Sequence, residues 1–215
     1  MFRVILICLI FISTYVYASV LDEQHQQKRI YKGILNGNAE GDALFVEIDG
    51  RFEQIFVSSS YLLTEYDFYD SSDLISSGFE TTTFSISAGT IIDFEDKAFL
   101  KPKATFGYSE GHLQTVKALT EKIINIGFDL GFAINNKAVL ITSYGISTIF
   151  SSNVNSLTAD LLNINEDAFE NDRESQEVYG SVELRNKIKD IAYINVGISR
   201  FDGVYTSYIG ACMNL

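Results

Sequence analysis

Residues 124–134 have the sequence Ile-Asn-Ile-Gly-Phe-Asp-Leu-Gly-Phe-Ala-Ile, in which large apolar side chains alternate with small or polar ones. Successive side chains of a β-strand point to opposite faces, so this stretch predicts a strand with one continuous apolar face. Asn135-Asn136-Lys137 predicts a turn, and residues 138–150 alternate in the same way. The two stretches together predict an antiparallel hairpin of long strands.

The same alternation recurs along most of the chain. Clear examples are 98–108, 178–184, 192–198 and 205–215, and weaker ones are 29–37, 43–49, 51–62 and 78–88. A tight turn is expected at Asp49-Gly50. The faces opposite the apolar ones are rich in glycine and small polar residues, which is typical of the lumen of a membrane barrel. We therefore predict an all-β fold, a closed antiparallel up-and-down transmembrane β-barrel of 8–10 strands.

Closure of the barrel is expected on physical grounds. In hydrocarbon, an open sheet edge leaves backbone groups without hydrogen-bond partners at several kcal/mol each. The connections also alternate in length, and the three longest, 62–77, 109–121 and 151–175, all lie on one side if the last strand ends on the other. Long external loops with short periplasmic turns are typical of bacterial outer-membrane barrels.

Composition excludes several other classes of protein. The chain has 215 residues, 28 acidic and 16 basic side chains, and a net charge of −12. Such an excess of acid argues against a nucleic-acid partner. With 16 Phe and 12 Tyr the chain is too apolar to be intrinsically disordered.

The N-terminal sequence indicates export. Arg3 is followed by an apolar run too short to span a bilayer, and small or medium residues precede position 19. We expect a signal peptide at 1–18, cleaved after Ala18, a short flexible periplasmic leader at 19–28 and the barrel domain at 29–215. The expected location is the cell outer membrane.

The end of the chain has the pattern Tyr208-x-Gly210-x-x-Met213-x-Leu215. With this ending and its alternating strands, the chain resembles the small outer-membrane β-barrels of Gram-negative bacteria, of the porin-like OmpA transmembrane-domain and opacity-protein type. The resemblance implies that these four residues form an insertion signal read by the barrel-assembly machinery. It also implies contact with outer-membrane lipid and lipopolysaccharide.

Five charged residues fall on the face predicted to line the lumen: Lys101, Lys103, Asp129, Glu183 and Arg185. A barrel of eight to ten strands is nearly filled by its own side chains. We therefore favour paired charges that plug a narrow interior over charges that line a conducting pore, and conduction stays open at this stage.

Other candidate sites are weak. His112 lies beside Ser109 and Glu110 in the predicted loop 109–121, where a barrel enzyme would need it for catalysis. A short amphipathic helix is also plausible there, from the helical spacing of Leu113, Val116, Leu119 and Ile123. No cofactor and no metal site are predicted.

The sequence therefore favours a non-enzymatic outer-membrane barrel with a structural, adhesive or surface-antigen role. Its acidic external loops at 62–77, 109–121 and 151–175 would contact a host or cell-surface partner. Two alternatives stay open: a secreted soluble lipocalin-like barrel that binds a small ligand, and a barrel enzyme acting on lipid or peptide at the outer leaflet.

Overall fold

Eleven β-strands and one short 3₁₀ helix make up the described part of the chain in a computed structural model. The structure describes residues 22–25, 27–37, 39–70, 73–94, 97–113, 116–152, 173–189, 192–201 and 204–214. The expected signal peptide, Leu215 and most of the loop 151–175 lie outside these residues. No helix among the described residues is long and apolar enough to cross a bilayer.

The helix spans Asp22–His25. The strands are β1 (Gln27–Gly37), β2 (Ala39–Phe52), β3 (Ile55–Asp70), β4 (Asp73–Thr90), β5 (Ile92–Phe94), β6 (Ala98–Leu113), β7 (Val116–Asn135), β8 (Ala138–Ser152), β9 (Arg173–Lys189), β10 (Ala192–Phe201) and β11 (Val204–Asn214).

The sheet closes on itself as an antiparallel up-and-down barrel. Each strand pairs with its neighbours in the chain, β1 pairs with β11, and the ring is completed where β4 pairs with β6. The short β5 continues β4 along the same edge of β6, so the barrel wall is ten strands around in the described part of the chain. The predicted fold is confirmed, with the higher of the two expected strand numbers.

Two ends of the barrel are distinguished below. The end where Gln27 pairs with Asn214 is called the terminal end, and it also carries the turn at Asn136-Lys137. The opposite end is called the loop end, because β8 and β9 reach it on either side of residues 153–172.

The outer wall is apolar across its middle. On β7, Ile126 is 68% exposed and Phe128 39% exposed, whereas Asp129 is buried. The same outward apolar row continues around the barrel: Ile30, Ile34, Leu44, Ile86, Phe106, Ile146, Val182, Val196, Ile198 and Ile209. A surface of this kind is stable in hydrocarbon, so the protein is a barrel that spans a membrane. A soluble lipocalin-like barrel needs the reverse arrangement, with its polar face outside.

Several sequence-based boundaries were wrong. The turn expected at Asp49-Gly50 lies at Glu53-Gln54, where Glu53 has a φ of 55°. Asp49 belongs to β2 and its side chain is buried in the lumen, where ion pairs stabilise it. A two-residue connection after Phe52 therefore replaces the Asp-Gly turn.

The outer connections are also shorter than predicted. Strands β3 and β4 extend to Asp70 and from Asp73, so most of 62–77 is strand, and β6 and β7 cover most of 109–121. The helix expected over residues 113–123 is wrong, because Val116 begins β7. Pairing with the neighbouring strands outweighs the helical spacing of a few apolar residues.

Candidate functional site

Charged side chains fill part of the lumen on the side of the terminal end. They are called the charge cluster here: Arg29, Glu47, Asp49, Lys101, Lys103, Asp129, Glu183 and Arg185. The cluster holds as many cations as anions, and short ion pairs join them. A buried charge is tolerated only when it is paired, so this balance is a condition for the fold.

Lysines and aspartates form one part of the cluster. Lys103 Nζ lies 2.6 Å from Asp129 Oδ1, and Lys101 Nζ lies 3.7 Å from Asp49 Oδ2. The Lys101 ammonium also lies 3.8 Å from the centroid of the Phe56 ring. Arg29 pairs with Asp49 as well, and its Nη1 lies 3.2 Å from Glu47 Oε2.

All five charges assigned to the lumen by sequence lie in this cluster, but three members were missed. Arg29 was placed at the edge of the leader, Asp49 in a turn, and Glu47 in a strand of ambiguous phase. Strong alternation on β1 and β2 is absent, so the sequence carries no clear signal for which of their side chains point inward.

Glu183 is the centre of a second group of hydrogen bonds. Arg185 Nε donates to Glu183, Tyr208 Oη donates to Glu183 Oε2 at 3.0 Å, and Tyr31 Oη lies 3.5 Å from Glu183 Oε1. Asn195 Nδ2 in turn donates to Tyr31 Oη at 3.1 Å. The carboxylate is therefore held by three partners on three different strands.

A glycine makes this geometry possible. The Tyr208 ring covers Gly197 so closely that a Cβ at that position would overlap the ring. The small residue on β10 lets the Tyr208 hydroxyl reach Glu183 on the next strand, β9. Asn195 and the buried Cys212 also exchange hydrogen bonds, at 2.8 Å and 2.9 Å.

The segment before β1 closes the lumen at the terminal end. Gln24 and Gln27 are buried, and the Oε1 atom of each accepts a hydrogen bond from Arg185 Nη1, at 3.1 Å and 3.0 Å. Gln27 Nε2 also donates to Asn214 Oδ1 at 3.1 Å. The expectation of a flexible leader at 19–28 was therefore wrong for its described residues, because buried amides need partners and Arg185 supplies them.

His25 belongs to the same closure. It is fully buried, and its ring meets that of Phe99 edge to face at a centroid distance of 4.5 Å. Burial, together with the positive charges of Lys101 and Arg51, lowers the pKa of His25 to about 2. Neither ring nitrogen has a hydrogen-bond partner among the described residues. The imidazole is neutral and packs as an aromatic ring, with its Nε2 3.9 Å from Asp93 Oδ1.

Apolar side chains complete the closure around His25. Phe56, Ile91, Phe99, Val139 and Ile141 form a buried cluster near the turns of the terminal end. Phe99 packs over Gly131 of the neighbouring strand, where no Cβ would fit. The lumen therefore holds the charge cluster first, then the apolar cluster and the N-terminal segment nearer the terminal end.

The residues of the predicted insertion signal lie on both faces of β11. Tyr208 points into the lumen, Gly210 is packed beneath the Tyr31 ring, and Met213 is 53% exposed on the outer wall. Leu215 lies outside the described residues. Recognition by the assembly machinery stays a prediction.

His112 and Ser109, which the sequence placed side by side as candidate catalytic residues, lie on opposite faces of β6. It lies on β6 opposite Glu80, on the same face of the strand as Glu110. Ser109 is buried on the other face, where it accepts a hydrogen bond from Thr83 at 3.0 Å. Residues an odd number apart on a strand point in opposite directions, so His112 and Ser109 cannot act together. The described residues also contain no group of three or more His, Cys, Asp or Glu side chains able to hold a metal ion.

Acidic residues face one another on the outer wall near the loop end. Asp42 on β2 is directly opposite Glu65 on β3, and Glu65 is directly opposite Glu80 on β4. All three are exposed. We call these three residues the acidic row. Like charges in directly opposed positions destabilise a sheet.

Comparison with known proteins places the architecture. No protein-family model matches the sequence, and neither does any curated protein sequence. Among solved structures, the β-domain of the Bordetella autotransporter BrkA matches with a TM-score of 0.52 and 8% identity, over 88% of this chain and 98% of that one. The fold is that of an outer-membrane β-barrel.

Two further barrels are similar at lower TM-scores. The KdgM porin in complex with disordered oligogalacturonate gives 0.43 at 9% identity, over 88% of this chain and 99% of that chain. Neisserial surface protein A gives 0.40 at 10% identity, over 88% of this chain and 95% of that chain. At such identities the likeness of these barrels to the present one concerns the fold alone.

Proposed function

We propose that the protein is a non-enzymatic barrel of the bacterial outer membrane whose loop end binds cationic surfaces or polypeptides. The observation that carries the proposal is the acidic row Asp42-Glu65-Glu80. The row keeps like charges in direct opposition, although a neutral side chain at Glu65 or Glu80 would relieve the repulsion. A local arrangement that costs stability is typical of a functional site.

The surroundings of the acidic row support the same role. Glu40 on β2 is directly opposite Asp67 on β3, two residues nearer the loop end than the pair Asp42 and Glu65. Tyr108 and Tyr205 are half-exposed on the outer wall, as expected of aromatic side chains near a membrane boundary. With the terminal end in the periplasm, the acidic row faces the outside of the cell.

The lumen supports a surface role over transport. The charge cluster is paired throughout and the N-terminal segment lies across its terminal side, so we propose that the barrel does not conduct. Reconstituted in planar bilayers, the protein is expected to give no stepwise conductance. Regular conductance steps would contradict this part of the proposal.

The binding role is tested with Glu65→Gln and Glu80→Gln in proteoliposomes. Loss of one like-charge contact should raise the free energy of unfolding by a few tenths of a kcal/mol. Retention on immobilised polylysine should fall at the same time, and the retention of the unchanged protein should decline with added salt. Glu53→Gln, at the terminal end, is the matched control. Unchanged retention of both row variants would refute the binding role.

A further inference from the structure

A groove runs along the outer wall where β8, β9, β10, β11 and β1 follow one another. Its volume is about 740 Å³, and apolar side chains such as Leu184, Val196, Ile198 and Ile209 line it. Lys32 and Ile34 of β1 also line it. The groove is open to the membrane along its length, so lipid chains are the molecules that reach it.

Lys32 is a cation within the apolar part of the wall. Along β1 it lies between the exposed Ile30 and Ile34, and across the sheet it is opposite Leu44 and Ile209. A lysine among apolar residues in a membrane is costly and usually marks a function. Its long side chain reaches towards the loop end, where Asp42 lies opposite Ile34.

The Lys32 ammonium has more N–H donors than its ion pair with Asp42 uses. Its Nζ lies 3.4 Å from Asp42 Oδ2, and the side chain is still 69% exposed. An ammonium group carries three N–H donors, and Asp42 is the one ion-pair partner of Lys32 among the described residues. At the membrane boundary, the remaining donors need oxygen acceptors.

A second cation lies on the loop side of the groove. Arg200 of β10 is exposed on the outer wall, two residues beyond Ile198, with its guanidinium carbon 5.5 Å from the centroid of the Tyr205 ring. Ser207 lies between β10 and β1, opposite both Ile198 and Ile34. The loop side of the groove therefore has two cations nearby, Lys32 in its lining and Arg200 beyond it, and one of them is paired with Asp42, whereas the body of the groove is apolar.

We propose that this groove binds one phosphate-bearing lipid of the leaflet at the loop end. An acyl chain lies along Leu184, Val196 and Ile209, and the phosphate oxygens accept hydrogen bonds from Lys32, with Arg200 completing the charge. An anionic head group joined to an apolar chain matches both halves of the groove. The Asp42 carboxylate competes with the phosphate for the Lys32 ammonium, so the phosphate is expected to bind on the side of Lys32 that faces away from Asp42. The proposal does not rest on the cationic partner proposed for the acidic row, although Asp42 belongs to both, and the variants Glu65→Gln and Glu80→Gln test that partner separately.

The test uses the whole refolded barrel in a neutral detergent. Phosphatidic acid, the diacylglycerol with the same chains, and inorganic phosphate are each titrated while the temperature of unfolding is followed by gel mobility before and after heating. We expect phosphatidic acid to raise the unfolding temperature, and neither diacylglycerol nor inorganic phosphate to do so. An equal effect of diacylglycerol or of inorganic phosphate would overturn the proposal.

Three variants separate lipid binding from simple ion pairing. Lys32→Met removes the charge but suits an apolar wall, so it should fold and should raise the half-saturating lipid concentration at least tenfold. Val196→Trp fills the groove and should have a similar effect. Asp42→Asn removes the competing carboxylate and should leave the half-saturating concentration unchanged or lower it. Lys122→Gln, on the outer wall of β7, is the control.

Two results would contradict the assignment of Lys32. In the first, Lys32→Met responds to phosphatidic acid as the unchanged protein does. In the second, Lys32→Met and Asp42→Asn lower the unfolding temperature by the same amount, and phosphatidic acid stabilises both variants as it does the unchanged protein. Lys32 would then serve only as the ion-pair partner of Asp42.

Discussion

Arg185 Nη1 lies 3.1 Å from Gln24 Oε1, although 161 residues separate the two along the chain. The same guanidinium also donates to Gln27 and to Glu183. One cation on β9 therefore joins the segment before β1 to the charge cluster inside the barrel. Hydrogen bonds that involve a charged group contribute about 1.5–3 kcal/mol each, so this contact orders the segment.

Gln24→Ala is expected to release the N-terminal segment. It removes one acceptor from a buried guanidinium, and cleavage within residues 22–25 by a protease of broad specificity in detergent should become several-fold faster. Gln54→Ala, in the exposed turn between β2 and β3, should leave the cleavage rate unchanged. Equal rates for the Gln24 variant and the unchanged protein would show that the hydrogen bond does not hold the segment.

Asp129→Asn is expected to destabilise the barrel by up to about 3 kcal/mol, because it leaves the Lys103 ammonium without its partner at 2.6 Å. Lys103→Met in the same chain should recover most of that loss, since no unpaired charge then remains. Urea unfolding of both single variants and the double variant measures the coupling. Additive losses would mean that the pair does not act as a unit.

Phe128→Arg is expected to cost on the order of 2–4 kcal/mol, because its side chain points outward from the middle of β7 and would place a charge in hydrocarbon. Phe128→Leu is the matched control and should cost far less. Folding yield into lipid vesicles and urea unfolding measure the effect. A silent Phe128→Arg would mean that the apolar wall does not face lipid.

Burial of His25 is expected to make the free energy of unfolding depend on pH. Its pKa is about 2 in the folded protein, against an ordinary value near 6.5 in an unfolded chain. Below about pH 6.5 only the unfolded state takes up this proton, so the free energy of unfolding falls with decreasing pH by at most about 1.4 kcal/mol per unit. His25→Phe keeps the ring packing and should flatten the profile between pH 6 and 4. An unchanged slope would place His25 in a solvated position.

Truncation of the terminal strand β11 is expected to impair insertion into the membrane. Deleting residues 213–215 should leave export intact but trap the protein in the periplasm, because Met213 and Leu215 belong to the proposed insertion signal. Leu215→Phe should keep or improve insertion and Leu215→Asp should impair it. Cell fractionation of each variant measures the outcome. A normal yield of the truncated protein in the membrane fraction would show that these residues are not an insertion signal.

Sequence reasoning was accurate where alternation is strong. On β7 the order Ile126, Gly127, Phe128, Asp129 assigns each side chain to a face, and the structure agrees. On β1 the pattern is interrupted by Lys32 on the outer wall, so the phase was ambiguous. On β2 Asp49 continues the alternation as an inward residue, but the Asp-Gly sequence favoured a turn, so the turn was misplaced. Ion pairs stabilise both residues, which local patterns do not reveal.

The sequence by itself determined the barrel, because a period of two over long segments with an apolar outer face allows few structures other than a closed sheet in a membrane. Only the tertiary structure decided which charges meet. Lys103 and Asp129, Arg29 and Asp49, and Arg185 and Gln24 are brought together by the register of the strands and by closure of β1 on β11. Contacts of this kind depend on positions far apart in the chain, whereas periodicity is a property of neighbouring residues.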